Sequence, residues 1–465
     1  MAGILECLHG VVWGAPVLVL IVSVGICVCL KTGFCQITLF PHALRRFWGS
    51  FRAASNDKQA SAYRALCTAL AATVGTGNIA GVAGAICLGG PGAIFWMWIC
   101  GILGMGIKYA EATLAVRYRV RNQDGQWYGG PMYMIREGLG KKWTPLAYAY
   151  CLLGLAASFG IGNATQINAL ISSMSTAFAA INRPFNTTWK LCIGIIFAVT
   201  VFVMLRGGAK RIGAAAQQLV PAASIIYLIM CIWVIGANIA FIDDAVAAII
   251  YGAFNTRAVT GGVIGSAFAA LRIGVSRGVF TNEAGMGTAS IAHAGAEVAH
   301  PAEQGLMGIM EVFLDTIVIC TMTALTILTS GIPIPYGSDP GARLTGEAFS
   351  SVLGDFGAFL LFGTLCCFAF ATILGWGLYG VRCAEFLIGH KAKFFFPLCQ
   401  GIVVLIAVFS DTGTVWILCD ILNGLMSIPN LTALMLLMPK LIQLTWEFKS
   451  MKHKSAEFKL RFSNN

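Results

Sequence analysis

Apolar residues fall along this chain in runs of about 20, separated by short polar connections rich in Arg and Lys. A helix of about 20 apolar residues crosses a ~30 Å hydrocarbon core, and lipid admits only structures that satisfy their own backbone. The pattern predicts eleven spans, near residues 10–30, 64–88, 91–116, 145–178, 187–205, 212–242, 259–291, 304–330, 356–381, 394–410 and 413–438. The alternating ten-residue segments of a membrane barrel are absent. The expected fold class is an all-α polytopic membrane protein. Residues 41–52, PHALRRFWGSFR, mix Arg with Phe and Trp as interfacial segments do, and 120–144 predicts a short helix after a Gly-Gly-Pro turn.

One span breaks its own pattern. AATVGTGNIAGV, residues 71–82, packs Gly75, Gly77, Gly81, Thr73, Thr76 and Asn78 into about three turns. Glycine costs up to about 1 kcal/mol against alanine inside a helix. Close packing of small residues explains glycines such as Gly101, Gly104 and Gly106. Gly75 and Gly77 are two apart, which does not make one packing face, so Val74–Asn78 reads as a break lining a cavity. Transporters of inverted-repeat design carry such breaks at matching positions of two halves. Setting the first span aside leaves five and five. The later half opens with 259–291, rich in glycine at Gly261, Gly262 and Gly265. The organisation expected is 1–58 extra helix and interfacial segment, 59–258 first repeat, 259–438 second repeat, and 439–465 basic tail. At each break, free N–H groups attract a carboxylate and free carbonyls suit a hard cation. A zwitterionic amino acid with Na⁺ matches those ends.

Composition sharpens this. The 465 residues are 57% hydrophobic and 11% charged, against roughly 25% charged in soluble domains. Of 31 Lys and Arg, only Arg183, Lys190, Arg257 and Arg343 fall on one side, with Lys108 inside a span. The rest, Arg272 and Arg277 included, are assigned to the other side. The positive-inside rule makes that side cytoplasmic, with the N-terminus outside and the C-terminus inside a plasma (inner) membrane. The net charge of +11 is then a topology signal and not a nucleic-acid footprint. The 16 cysteines lie mostly in spans and form no paired CxxC zinc pattern. Glu6, with no preceding Lys or Arg, argues against a signal peptide.

Four stretches resemble the alanine or glycine:cation symporter family of the LeuT-type superfamily: AATVGTGNIAGV, GGPMYMI at 129–135, GVSRGVFTNEAGMGTASIAHA at 274–294 and FATILGW at 370–376. The resemblance implies a 5+5 inverted repeat behind one extra N-terminal helix. It also implies sodium-coupled uptake of alanine or glycine, D-alanine included, with Na⁺ the only cofactor. Thr76, Gly77 and Asn78 would hold the carboxylate, Gln166 would add a contact, Trp376 would cap a small pocket, and Gly261 and Gly262 would offer carbonyls to the ammonium. Sodium would bind the Ala71, Val74 and Phe368 carbonyls and the Thr372 hydroxyl. The family usually has Ser before that Thr; here it is Ala371, one sodium ligand fewer.

Other polar residues have plainer readings. Glu111, three residues from Lys108, suggests an ion pair. Glu311 and Asp315, four apart, and Asp420 are intramembrane acids and so functional candidates; helix-bundle hydrogen bonding is the simpler role for the Glu311 and Asp315 pair. Arg272, Arg277 and Glu283 suggest a cytoplasmic gate or a plain salt bridge, His293 and His300 lack a third metal ligand, and Asn186-Thr-Thr fits the glycosylation pattern. No nucleophile-and-base cluster points to an enzyme, and pseudo-symmetry within one chain favours a transporter over a channel. Proton-coupled transport of a small neutral amino acid is the alternative.

Overall fold

Water is missing from the middle of a bilayer, so peptide groups there must bond within helices. The computed structural model describes residues 2–53, 58–123, 125–180, 183–255, 267–410 and 412–463, nearly all helical. Helices α1 (Ala2–Val12) and α2 (Ala15–Lys31) form one apolar run, and α3 (Phe40–Arg52) covers the stretch expected at the interface, with Ala43 and Ser50 buried and Trp48 and Phe51 exposed. The first core helix comes in two pieces, α4 (Lys58–Thr73) and α5 (Ala80–Gly89). After α6 (Gly92–Arg117) the 120–144 connection adds an antiparallel hairpin, β1 (Val120–Arg121) with β2 (Trp127–Tyr128), before the short helix that the Gly-Gly-Pro turn starts. Then come α7 (Thr144–Phe159) and α8 (Thr165–Ala180), joined by a π-helical turn at Gly160–Ala164, followed by α9 (Thr187–Arg206), α10 (Gly208–Ala237) and α11 (Ile242–Phe254).

The second half repeats the interruption. Helix α12 (Ala267–Asn282) and the short α13 (Thr288–His293) flank an irregular stretch, and a π-helical segment, Phe313–Cys320, separates α14 (Pro301–Val312) from α15 (Thr321–Thr329). The chain continues through α16 (Ala342–Leu353), α17 (Asp355–Ile388), α18 (Ala392–Ala407), α19 (Thr412–Leu436) and α20 (Met438–Ser463). By length and apolarity, eight runs among the described residues qualify as spans, or nine with the bent pair 60–73 and 76–89 taken as one. One of these runs, Asp355–Ala407, holds both α17 and α18.

Glycines at the helix crossings do close packing. A Cβ on Gly101 would lie 3.1 Å from Thr316, one on Gly104 3.1 Å from Ala284, and one on Gly106 3.0 Å from Cys29. Helix α14 seats on α6 the same way: a Cβ on Gly308 would lie 2.7 Å from the Lys108 carbonyl oxygen.

Long-range contacts separate two faces. On one, Lys449 donates to the Thr32 carbonyl, tying α20 to the end of α2, and Arg46 pairs with Glu303 at 3.2 Å, tying α3 to the start of α14. Arg277 lies at the opposite end, paired with Asp339 at 3.2 Å in the segment after α15. The assignment of Arg272 and Arg277 to the basic side is therefore corrected. Both sit on α12, before the interruption, whereas the basic face begins beyond α13. Hydropathy sees one long span there and does not say at which end an Arg lies.

Candidate functional site

The first core helix breaks where its glycines are. Helix α4 ends at Thr73, a 3-10 turn covers Thr76–Asn78, and the two halves bend by 58°. Gly75 N–H donates to Asn78 Oδ1 at 2.9 Å, and Thr76 N–H points to Gln166 Oε1 at 3.5 Å. An unbroken helix would aim those two donors at the carbonyls of Ala71 and Ala72. Thr76 Oγ1 also donates to Gln166 Oε1 at 3.1 Å. Gln166 is set by the π-helical turn that precedes it, since its Nε2 donates to the Ile161 carbonyl at 3.1 Å.

Helix α17 closes the other side of this break. A Cβ on Gly75 would lie 2.6 Å from Thr372 Oγ1, and one on Gly375 would lie 2.9 Å from the Ala72 nitrogen. Thr372 Oγ1 is buried and has no hydrogen-bond partner among the described residues. Burying an unpaired hydroxyl costs about 1–3 kcal/mol, and this one faces Gly75, where the Gly75 and Thr76 N–H groups have turned away from the Ala71 and Ala72 carbonyls. The expected cation residues Ala71, Val74 and Thr372 thus come together; Phe368 is buried one turn before Thr372, and its ring meets Tyr227. Ala371 is buried beside them and adds no oxygen.

An interruption in the second half lies at a later glycine pair of that span. Gly261 and Gly262 lie outside the described residues. The break found runs from Glu283 to Gly287, with Gly285 at φ 95° and Gly287 at φ 77°. Glu111 Oε1 accepts Gly285 N–H at 2.9 Å, Gly287 N–H at 3.1 Å and Asn430 Nδ2 at 2.7 Å. Glu283 carries its own left-handed backbone, φ 54°. Its Oε1 accepts Trp376 Nε1–H at 2.7 Å, and its Oε2 accepts the Thr288 hydroxyl at 2.5 Å. Glu283 thus bonds Trp376 and Thr288 at this break while Arg277 pairs with Asp339, so the two form neither the expected gate nor the expected salt bridge. Trp376 is fully buried, and a Cβ on Gly162 would lie 2.2 Å from its Cβ.

Behind the breaks, buried polar groups pair over long sequence distances. Lys108 Nζ bonds Glu311 Oε1 at 3.0 Å, not Glu111, and Glu311 Oε2 bonds His293 Nε2 at 2.8 Å. Asn78 Nδ2 donates to Asp315 Oδ1 at 2.7 Å, Thr316 Oγ1 donates to Asp315 Oδ2 at 2.8 Å, and Asn282 Nδ2 donates to Thr316 Oγ1 at 3.2 Å. Asn282 Oδ1 then takes Ala284 N–H. One chain of hydrogen bonds therefore joins the two breaks through a π-helical segment. Glu311 and Asp315, though four apart, face different partners. Asp420 sits with His9 at 3.3 Å, and His300 accepts the Ala302 N–H at the start of α14; among the described residues no metal-binding cluster forms.

The two ends of the site differ. Toward Asp339, Phe280 stacks on Trp416 with centroids 5.0 Å apart, and Arg277 lies over both rings. Gly84 leaves room for the Asp339 carboxylate, 2.8 Å from where a Cβ would be. Toward the basic face, a cavity of about 390 Å³ opens between α4, α13, α10 and α17, lined by Ser61, Arg64, Thr68, Lys210, Ile291 and Arg382.

A model of the sodium:alanine symporter family matches residues 1–461. The chain belongs to the sodium:alanine symporter family. It is 39% identical over 453 residues to the Sodium/alanine symporter AgcS of Methanococcus maripaludis, covering 96% of this chain and 97% of that one. It is 42% identical over 451 residues to an uncharacterized transporter of Haemophilus influenzae, covering 96% and 95%. Among solved structures, MhsT in complex with L-phenylalanine matches with a TM-score of 0.58 at 15% identity, over 82% of this chain and 97% of that one. The family is one of cation-coupled amino-acid symporters, and the all-α fold is LeuT-like. Within that fold Thr76, Gly77, Asn78, Gln166, Thr372 and Trp376 gather at the two breaks; the sequence reading missed Glu283 and the Gly285–Gly287 break. The missed signal was legible: EAGMG carries two glycines two apart, the same mark as VGTGN.

Proposed function

We propose that this protein imports alanine or glycine, D-alanine included, in symport with Na⁺ by alternating access across the plasma (inner) membrane. The single observation carrying this reading is the buried, unpartnered Thr372 hydroxyl facing Gly75, where the backbone donors have turned away from Ala71 and Ala72. Sodium fits there with the Ala71, Val74 and Phe368 carbonyls and Thr372. The amino-acid carboxylate goes to the Thr76–Asn78 turn beside Gln166, where the N-terminal end of α5 favours an anion. Trp376 walls the pocket and keeps it small. Sodium and substrate share the one break, so each tightens the other equally. The C-terminal helix lies in the cytoplasm and the N-terminus outside, because the basic residues gather on that face. In this conformation the Arg277–Asp339 end is shut and the cavity opens toward the cytoplasm.

One observation favours the proton-coupled alternative. Asp315 is wholly buried and, among the described residues, forms no ion pair. Uptake of labelled alanine and glycine into proteoliposomes, under a Na⁺ gradient and separately under a proton gradient, tests both. Concentrative uptake driven by Na⁺ and lost in Thr372→Ala supports the main reading. Uptake driven only by protons replaces it, and equilibration without accumulation refutes symport.

A further inference from the structure

We propose that the Glu283 carboxylate is the receptor for the substrate's ammonium group. This rests on the reading that an α-amino acid binds at the break of the first core helix. Three observations carry it. Glu283 holds a left-handed backbone at φ 54°, which among the described residues only one other non-glycine residue, Phe34, shares. Such strain persists where surroundings or function over-determine it. Second, both donors to the carboxylate, the Trp376 indole and the Thr288 hydroxyl, are neutral, and Glu283 forms no ion pair among the described residues, although it is 1% exposed. Each carboxylate oxygen keeps a lone pair, and a buried carboxylate calls for a cation. The neighbouring acids are committed elsewhere. Glu311 holds Lys108 and His293, Glu111 takes three donors on one oxygen, and Asp315 meets the break only through the Asn78 amide.

Third, the two breaks adjoin. Gln166 and Thr372 lie at the first break, where they meet Thr76 and Gly75. Gly162, in the π-helical turn before α8, meets Trp376, four residues after Thr372 on α17, and Trp376 reaches Glu283. A Cβ on Gly77 would lie 3.3 Å from Phe280 Cδ1 and 3.3 Å from Thr281 Cγ2, so the first break adjoins the residues that lead into Glu283. An α-amino acid carries its carboxylate and ammonium on one carbon, so two adjoining breaks can take one group each. Its direction is also set. The Gly285 and Gly287 N–H groups at the second break already bind Glu111, so the substrate carboxylate takes the first break and the ammonium the second.

The test uses the purified full-length protein in saturating Na⁺, with ligand-induced thermal stabilisation by alanine and by lactate, which replaces the ammonium with a hydroxyl. Wild type should prefer alanine by 100-fold or more. In Glu283→Gln the alanine affinity should fall by 100-fold or more and the preference should collapse. Preference kept in a folded Glu283→Gln overturns the proposal, and so does collapse in Glu111→Gln instead. If the Gln variant does not fold, Glu283→Asp decides. With the charge withdrawn by one methylene, N-methylalanine should gain on alanine, and an unchanged ratio overturns the proposal. A wild type bound by alanine and lactate alike overturns the proposal alone. A wild type stabilised by neither alanine nor glycine overturns the underlying reading.

Discussion

Thr372→Val keeps a branched side chain of the same shape and deletes one oxygen. That oxygen is buried, unpaired and directed at Gly75, and an unpaired buried hydroxyl costs about 1–3 kcal/mol. In sodium-free buffer the substitution removes this cost, so the variant should unfold at the wild-type temperature or above it. In sodium the sign reverses. A hydrogen-bonding group facing a charge contributes about 1.5–3 kcal/mol, which corresponds to roughly 10- to 100-fold weaker sodium binding. Ligand stabilisation grows as RT ln(1 + [L]/Kd), so at sodium concentrations far above the wild-type Kd the variant should lose about 1.5–3 kcal/mol of sodium-dependent stability. The assay is thermal unfolding followed by tryptophan fluorescence, in NaCl and in choline chloride, with labelled alanine binding measured in parallel. A variant with the full wild-type response to sodium shows that Thr372 is no ligand. An equal loss of stability in both salts shows that the hydroxyl is structural and that the cation reading of this break is wrong.

Ala371→Ser adds a hydroxyl on α17 beside Thr372, and alanine binding should then saturate at sodium concentrations lower by about tenfold; an unchanged sodium titration contradicts the site. Trp376→Ala empties a fully buried wall of the pocket, so uptake competition should show entry of larger apolar amino acids, and unchanged selectivity at normal expression counts against the size limit. Lys108→Met leaves Glu311 buried without its cation, 3.0 Å away in the wild type, at a cost of about 3–5 kcal/mol. Size-exclusion of the detergent-solubilised protein should show little folded Lys108→Met and substantial recovery when Glu311→Gln is added; a stable single variant refutes the pairing.

Local physics was legible in the sequence. A bilayer demands about 20 apolar residues per crossing, so the apolar runs and the helix at Phe40–Arg52 could be read from one-dimensional pattern, although eleven spans were expected and eight or nine runs qualify among the described residues. The break at Val74–Asn78 was legible for a related reason, since two glycines two apart weaken a helix without building a packing face. The same mark stands at the break of Gly285 and Gly287, whereas Gly261 and Gly262, where the expectation fell, lie outside the described residues. Partner choice among buried polar groups was not legible. Lys108 lies three residues from Glu111 yet bonds Glu311, 203 positions later, because α14 seats its glycines against α6 at the level of Lys108. Glu111 instead caps the backbone of a helix 174 positions away, and Thr372 meets Gly75 across two helices. Helical periodicity is set by hydrogen bonds between residues four apart, which any short window of sequence contains. A buried ion or hydroxyl must find its partner wherever packing brings one, and in this protein that is decided by how the two broken helices and α17 close around a common centre.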